Sequence, residues 1–525
     1  MDIILSRGTE LITALDPLTK KYFISVNPPT LQDNRGDADR LRSAITPFLS
    51  NQNLEIPLSL LQTIPHICRT GQWQVTVTIA EYNGYSRLIS IEPGNSSLNY
   101  GVAFDIGTTT VVAYLVDLST GQVLGTSSDY NGQIKYGDTI LDRIQYAYSP
   151  ENLRELQATT MKSLNSLISD LILKTRVAKE TVTACSISGN TTMIHFALGL
   201  DPSRICQEPY IPVVNSAGYF RAQDLGLMIN SNGIVYFLPS IGSYVGGDVI
   251  AGVVVSGMHN NEEISMLVDI GTNGEIVLGN SDWLVACAGA AGPALEGGVV
   301  KWGMRATNGA IDKVSIDSAT GKINYTTIGN TKPYGICGSG LVDCIAEFLL
   351  NGVIDRTGKF KNNISHITIV PASESAQGED IIISQNDIKN LIRTKGAVNA
   401  SVEVLLQSVG CSLSQIKFFY AAGAFGNYLD KESAITIGLY PDLPRNQIIK
   451  IGNSSGEGAK LALLSQEKRQ EMEAVAKKIT YFEMNVNQDF MNEFTAGLFL
   501  PHSNLDAYPS IKAKLNNYKR QLIWK

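Results

Sequence analysis

Residues 100–121 read YGVAFDIGTTTVVAYLVDLSTG, and residues 264–279 read ISMLVDIGTNGEIVLG. Each is an apolar run, then Asp-Ile-Gly-Thr, a turn, and a second apolar run. Short apolar runs punctuated by Gly-Thr and Ser-Thr-Gly read as strands joined by tight turns. A theme recurring this far apart predicts a duplicated fold with a pseudo-twofold relation, not a short-period solenoid. Around the two copies, helical patterns fall at about 138–148, 151–177, 338–351, 386–410, 425–436 and 457–478. Strand patterns fall between them, at 182–189, 234–241, 417–422 and 447–451. Alternating strands and helices argue for α/β layers.

Working outward, residues 1–98 form a separate N-terminal segment. It holds a strand at Tyr22–Val26, a helix pattern from about Asp37 to Leu49, and two strands around Asn83-Gly84, a good hairpin turn. Pro93-Gly94-Asn95-Ser96-Ser97 reads as a linker. The segment 201–230 gives no clear pattern. The domain division expected is 1–98, 99–262 and 263–525.

Composition narrows the function classes. A 44% hydrophobic fraction over 525 residues allows sizeable cores, and only 17% of residues are charged. The net charge of −7 argues against a nucleic-acid binder driven by bulk charge. No apolar run approaches the roughly 18–20 residues that span a bilayer, and the start has no secretory pattern. Seven scattered cysteines without a Cys-x-x-Cys pair point to a reducing cytosol, hence a cytoplasmic protein. No four of them have ferredoxin-type spacing.

The chemistry begins at Asp105-Ile106-Gly107-Thr108-Thr109-Thr110. A strand delivers a carboxylate beside a Gly-Thr turn. Gly107 lets backbone N–H groups approach phosphate oxygens, and the threonine hydroxyls can donate to the same oxygens. An aspartate can hold hydrated Mg²⁺, which needs few protein carboxylates. The plain alternative is an ordinary β-hairpin. The second copy, Asp269-Ile270-Gly271-Thr272-Asn273-Gly274-Glu275, shifts the balance, since two such turns heading two halves can clamp one polyphosphate across a cleft. Neither the Walker loop nor the dinucleotide fingerprint occurs. Gly242–Asp248, GSYVGGD, places Asp248 at a helix start, as a cleft carboxylate or as a plain N-cap. Ala421-Ala422-Gly423-Ala424-Phe425-Gly426-Asn427 follows a strand. Its small residues suit a flat purine, with Gly423, Ala424, Gly426 and Asn427 as contacts, or close helix–strand packing.

These elements, in this order, resemble the ATPase superfamily of actin, the heat-shock chaperones and the sugar kinases. Gly456–Leu464, GEGAKLALL, is similar to its second connecting helix, with Glu457 interrupting the small residues. The resemblance extends to a narrower family. YGVAFDIGTTTVVAYLVDLSTG, SGNTTMIHFALGLDP, SYVGGD, LVDIGTNGEIVLG, ACAGAAGPALEGG, ICGSGLVD and AAGAFGNYLD look like the reductive activators of corrinoid-dependent enzymes. Residues 18–98, with VNPPTLQDNRGDADRLRSAI, resemble that family's linker.

The resemblance implies two actin-like, ribonuclease-H-like subdomains (99–262 and 263–525) around a nucleotide cleft, after an α+β linker domain (1–98). It implies ATP and Mg²⁺ as cofactors. Asp105 and Asp269 would orient the metal. Gly107, Thr108, Thr109, Thr110, Gly271, Thr272, Asn273 and Gly274 would hold phosphates. Asp248 would position the attacking water, with Glu275 as competitor. Family members usually carry a plant-type [2Fe–2S] domain. Here only Cys68 precedes residue 185, so no iron–sulfur cluster is expected in this chain. The expected partners are a corrinoid protein, whose Co(II) is reduced to Co(I), and a separate ferredoxin-like donor. A homodimer is compatible, and neither nucleic acid nor membrane is expected. Cys287 and Cys337 read as small buried residues, the alternative being a cluster at a subunit interface. Two other readings stay open: a small-molecule kinase of the same fold, and a nucleotide-dependent assembly protein without redox work.

Overall fold

Four strands open the chain: β1 (Thr19–Ser25), β2 (Leu54–Glu55), β3 (Gln74–Tyr82) and β4 (Tyr85–Pro93), in spatial order β1-β3-β4-β2. The computed structural model describes residues 15–51, 53–271, 273–289, 292, 294–317, 319–361, 364–484 and 487–518, with backbone only at 424, 425, 427, 517 and 518. The β3–β4 turn is the expected Asn83-Gly84, with φ of 51° and 77°, which suits a two-residue hairpin. Helices Asp37–Ile45 and Ile64–Thr70 bury Leu41, Ile45 and Ile64 with Val75, Val77 and Leu88 of the sheet.

A six-stranded sheet follows, with β5 (Tyr100–Ile106), β6 (Thr110–Asp117), β7 (Val123–Tyr130), β8 (Val182–Gly189), β9 (Gly218–Arg221) and β10 (Ile234–Phe237) in order β7-β6-β5-β8-β10-β9. β5, β6 and β7 form an antiparallel meander, and β8 and β10 run parallel to β5. β8 is buried along its whole length, as a strand covered on both faces must be. The longer helices of this region are α1 (Ile140–Tyr146), α2 (Pro150–Thr175), α3 (Thr191–Leu198) and α4 (Gly247–Ser256), of which α1, α3 and α4 serve the site. Ser149 caps α2 by accepting from the Asn152 N–H, and Pro150 opens it, where a missing N–H costs nothing.

The second large sheet contains β11 (Ser265–Ile270), β12 (Gly274–Gly279), β13 (Leu284–Gly289) and, after an excursion, three further strands. The excursion supplies β14 (Ala310–Ile316), β15 (Ile323–Thr327), β16 (Gly335–Ile336), β17 (His366–Val370) and β18 (Ile381–Ser384) in two small sheets. It also supplies helices α5 (Gly338–Leu350) and α6 (Gln385–Ser408). β19 (Phe418–Ala422), β20 (Ile448–Gly452) and β21 (Ile479–Phe482) complete the order β20-β19-β11-β12-β13-β21. Again the first three strands form an antiparallel meander, and β19 and β20 run parallel to β11. Five strands of each sheet therefore share one topology. The duplication read from Asp-Ile-Gly-Thr is a duplication of fold.

By compactness the chain divides into Met1–Val255 with Ser454–Lys477, and Ser256–Asn453 with Lys478–Lys525. The returning segment in the first unit is α8 (Ser454–Leu464), followed by α9 (Gln466–Lys478). The single helix expected over 457–478 is thus two, broken at Ser465, which pairs with Asp16 in a parallel bridge. The helix expected over 425–436 is also two: α7 (Gly423–Tyr428), then Lys431–Ile437 capped by Asp430. α8 lies on β5 and β8. Its Gly458 has no room for a Cβ, which would collide with Ala251 of α4. Glu457, which breaks the small-residue pattern, is buried as an ion pair. Lys460 Nζ lies 2.9 and 2.5 Å from its two oxygens and 5.0 Å from the Tyr114 ring centre. Arg469 of α9 is buried and donates to Ala462 O at 2.6 Å.

Candidate functional site

The carboxyl ends of parallel strands β5 and β8 meet at the Asp105 turn. Asp105 pairs in register with Ser188, and Ile106 with Gly189. A Cβ on Gly189 would sit 2.7 Å from Ile106 O, so the two strand ends touch through bare backbone. The turn closes by a Gly107 N–H to Thr110 O bond of 3.0 Å. Its three carbonyls all have donors. Asn131 Nδ2 donates to Gly107 O at 2.9 Å, Arg143 Nη1 to Thr108 O at 2.7 Å, and the Asn131 N–H to Thr109 O at 2.9 Å.

Asn190 caps α3 with its Oδ1 on the Met193 N–H, and its Nδ2 donates to Thr108 Oγ1 at 3.2 Å. Ser455, at the start of α8, donates to Asp105 Oδ1 at 2.7 Å and lies 2.9 Å from Ser188 Oγ. A residue 350 positions away in sequence thereby orients the first carboxylate.

Asp248 follows the Gly242–Gly247 loop, which packs against the start of α3. The Gly242–Gly247 loop is held by Thr191 Oγ1 donating to Gly242 O at 2.6 Å. A Cβ on Gly246 would lie 2.5 Å from Asn190 Cα and 2.7 Å from Gly189 O. α4 begins at Gly247, so Asp248 already lies inside the first turn rather than at an N-cap. Burial, reinforced by the Asp105 charge, pushes its carboxyl up to about 7. Asp105, Gly107, Thr108, Thr109, Thr110 and Asp248 are thus gathered in one unit.

The second turn differs in length. Ile270 pairs with Gly274, leaving three residues, and Gly271 N–H bonds Asn273 O at 2.8 Å. Thr272 lies outside the described residues. Gly274 is the first residue of β12, and Asp269 stands directly opposite Glu275. Like charges in that register are unfavourable without a compensating cation. Asp269 also pairs with Ala422 at the end of β19. Gly423 has φ of +77°, and a Cβ there would strike Asp269 Oδ1. Gly426 packs on Ala421, with 2.7 Å from its absent Cβ to Ala421 C. Both glycines are therefore required by close helix–strand approach. Ala424 and Asn427 lie in the same helix, α7.

Cys287 is buried in β13, where burial pushes its thiol up, and its Sγ lies 3.8 Å from Ser401 O. Cys337 is buried with its Sγ 3.3 Å from Ile311 O. Buried His195 has its Nδ1 2.8 Å from Thr191 O, while Nε2 accepts from the Val213 N–H at 3.0 Å. Among the described residues no group of three or more His, Cys, Asp or Glu is placed to hold a metal ion. Mg²⁺ does not require one, since it keeps several waters and takes one or two carboxylates with substrate phosphates. Glycine turns beside half-buried or opposed carboxylates fit a hydrated cation with a polyphosphate. No described helix is long and apolar enough to cross a membrane.

The sequence reading missed Asn131, Arg143, Asn190 as a threonine partner, Ser188 and Ser455. Asn190 is legible as a cap. The others act on a carbonyl, a carboxylate or a hydroxyl from another element, and no local pattern marks them.

Comparisons with known proteins bear on this geometry. A family model described as the RACo linker region matches residues 8–97, and one described as the RACo middle region matches residues 100–261. A third, described as the C-terminal domain of RACo, the ASKHA domain, matches residues 263–512. The chain is 35% identical over 468 residues to the corrinoid activation enzyme RamQ of Eubacterium limosum, covering 83% of this chain and 78% of that protein. It is 24% identical over 432 residues to the [Co(II) methylated amine-specific corrinoid protein] reductase of Methanosarcina barkeri, covering 76% of each. Among solved structures, a reductive activator for corrinoid, iron-sulfur protein matches with a TM-score of 0.87 at 42% identity. The match covers 95% of this chain and 81% of that one.

Proposed function

This chain belongs to the RACo family of reductive activators of corrinoid proteins, and from that premise we propose that it is an ATP-dependent activator. It binds a corrinoid protein whose cobalt has fallen to inactive Co(II) and promotes its one-electron reduction to Co(I). The observation that carries the ATP part is the pair of Asp-Ile-Gly-Thr turns, each at the carboxyl edge of the same five-strand arrangement.

The division of labour follows from residue type. The N–H groups and hydroxyls of Thr108, Thr109 and Thr110 hold phosphate oxygens in the first unit, with Gly107 giving clearance. In the second, Thr272, Asn273 and Gly274 offer N–H groups and Thr272 a hydroxyl, with Gly271 giving clearance. Asp105 and Asp269 orient hydrated Mg²⁺. When bound, Mg-ATP supplies a phosphoanhydride whose cleavage needs positioning and charge stabilisation rather than a covalent nucleophile. Asp248, whose carboxyl is pushed up by burial and by the Asp105 charge, positions the attacking water. Glu275 is the competing candidate. Gly423 and Gly426, with Ala424 and Asn427, lie against adenosine.

ATP can assist reduction only through its differential affinity for two states of the protein. The electron is supplied by a separate iron–sulfur protein. The reading is supported by cysteines that are scattered in sequence, five of them buried.

The test is anaerobic. The chain is mixed with a Co(II) corrinoid protein, a reduced ferredoxin donor and Mg-ATP, and Co(I) absorbance is followed. ATP-dependent Co(I) formation is expected. ATP turnover with no Co(I) from any corrinoid protein offered would overturn the redox role and move the chain toward the kinase or assembly readings.

A further inference from the structure

The first turn is held from behind by two residues that touch neither Asp105 nor Asp248 through any hydrogen bond described above. Asn131 grips Gly107 O with its side chain and Thr109 O with its backbone, and Arg143 grips Thr108 O between them. The described cis peptides lie elsewhere, at Glu208-Pro209 and Leu500-Pro501. In a trans peptide the carbonyl and the next N–H point in opposite directions. Fixing the carbonyls of residues 107, 108 and 109 on one side therefore directs the N–H groups of Thr108, Thr109 and Thr110 to the other. Three N–H groups on one side of a turn make an anion nest.

We propose that Arg143 and Asn131 are positioning residues for the phosphate turn. They set its peptide planes before the nucleotide arrives. Arg143 is fully buried and is itself fixed: its Nε donates to Gly137 O at 2.9 Å, and Nη1 lies 3.4 Å from Gln133 Oε1. The element that carries it, α1, is pinned by a capping box in which Thr139 and Asp142 exchange side-chain and backbone bonds. Arg143 also does what a neutral donor cannot. Its permanent charge polarises the Thr108 carbonyl, and that peptide's N–H, on Thr109, becomes a stronger donor to an anion. Asn131 Oδ1 accepts from the Gln133 N–H at 3.0 Å, which fixes the amide with its NH₂ toward Gly107.

This inference rests on the nucleotide reading of the turn. The experiment measures, by calorimetry on the full chain, the affinities for Mg-ATP and for adenosine, with thermal unfolding alongside. Arg143→Met and Asn131→Ala are compared with Arg469→Met, which removes another buried arginine of the same unit. Arg143→Met is expected to weaken ATP binding about tenfold, the worth of one charge-assisted bond, while adenosine affinity stays within about twofold. Arg143→Lys, which keeps charge and one donor, is expected to recover part of the loss. Arg469→Met is expected to lower the unfolding temperature without changing the ATP-to-adenosine ratio. Should Arg143→Met not fold, Asn131→Ala carries the test, since it keeps the backbone donor to Thr109. A folded Arg143 or Asn131 variant with an unchanged ratio, or an equal shift in Arg469→Met, overturns the proposal. A folded wild type that binds no ATP instead refutes the nucleotide reading, and the positioning role with it.

Discussion

Gly246→Ala tests how tightly the Asp248 loop is tied to α3. Two backbone atoms, Asn190 Cα at 2.5 Å and Gly189 O at 2.7 Å, would face the new methyl. Neither can rotate away as a side chain can. Restoring ordinary contact moves the loop by about 1 Å, and overpacking of this kind costs roughly 1–3 kcal/mol. At about 2–4 °C per kcal/mol for a unit of this size, unfolding should come roughly 2–12 °C earlier. The larger effect is on chemistry. A displacement of about 1 Å at a reacting centre can cost on the order of 10²-fold in rate. Steady-state ATP turnover should fall far more than ATP affinity, which the turn 107–110 largely supplies. Gly226→Ala is the control: its φ is +70° with nothing within 4 Å, so it introduces strain of about 1–2 kcal/mol without a backbone collision. It should destabilise and leave turnover alone. If Gly246→Ala turns over ATP at the wild-type rate, the loop does not set Asp248 and the geometric argument is wrong.

Two further outcomes concern stability. Lys460→Met should cost roughly 3–5 kcal/mol in urea unfolding, because it strands the Glu457 carboxylate in the core, whereas Glu457→Leu combined with Lys460→Met should be near neutral. A single variant as stable as wild type would mean the pair is hydrated. Glu432 is held down to about 2, chiefly by hydrogen bonds from Arg445 with Lys514 adding to them. Its folded value lies below the unfolded one, so its contribution is present above about pH 4.5 and is lost as pH falls toward about 2. The gap in urea midpoint between wild type and Glu432→Gln should accordingly be full at neutral pH and close across that window. A pH-independent gap would refute the ionic origin.

What the sequence made legible was periodic or punctuated. The meander of β5, β6 and β7 and its copy show as apolar runs around Gly-Thr, and Asn190 shows as a cap ahead of MIHFAL. Breaks within helices were less visible. Asp430 and Ser465 are ordinary polar residues in long helical patterns, and only the capping bond to Ser433 N–H and the bridge to Asp16 show that the chain stops there. Short strands such as β9 and β16 have too few residues to show a period. The site divided in the same way. Aspartates and glycines announce themselves by type. The brace of Asn131 and Arg143 does not, because its targets are main-chain carbonyls, which every residue has. Glu457 read as a flaw because its partner lies one turn on and both sit in the core.

The return of α8 to the first unit has a consequence for biosynthesis. β5 and β8 receive their cover only when Ser454–Lys477 has been made. Gly101 of β5 leaves space that Leu463 fills, and Ser186 of β8 waits for Ala459 O as its acceptor. A ribosome adding roughly 5–20 residues per second needs on the order of 10–40 s for the intervening chain. Throughout that interval the emerging sheet has one open face while the next one is being synthesised. The two units therefore cannot mature strictly in order: the first is completed only after most of the second has been made, and a chain cut after Asn453 loses the cover of its N-terminal unit, not merely its tail.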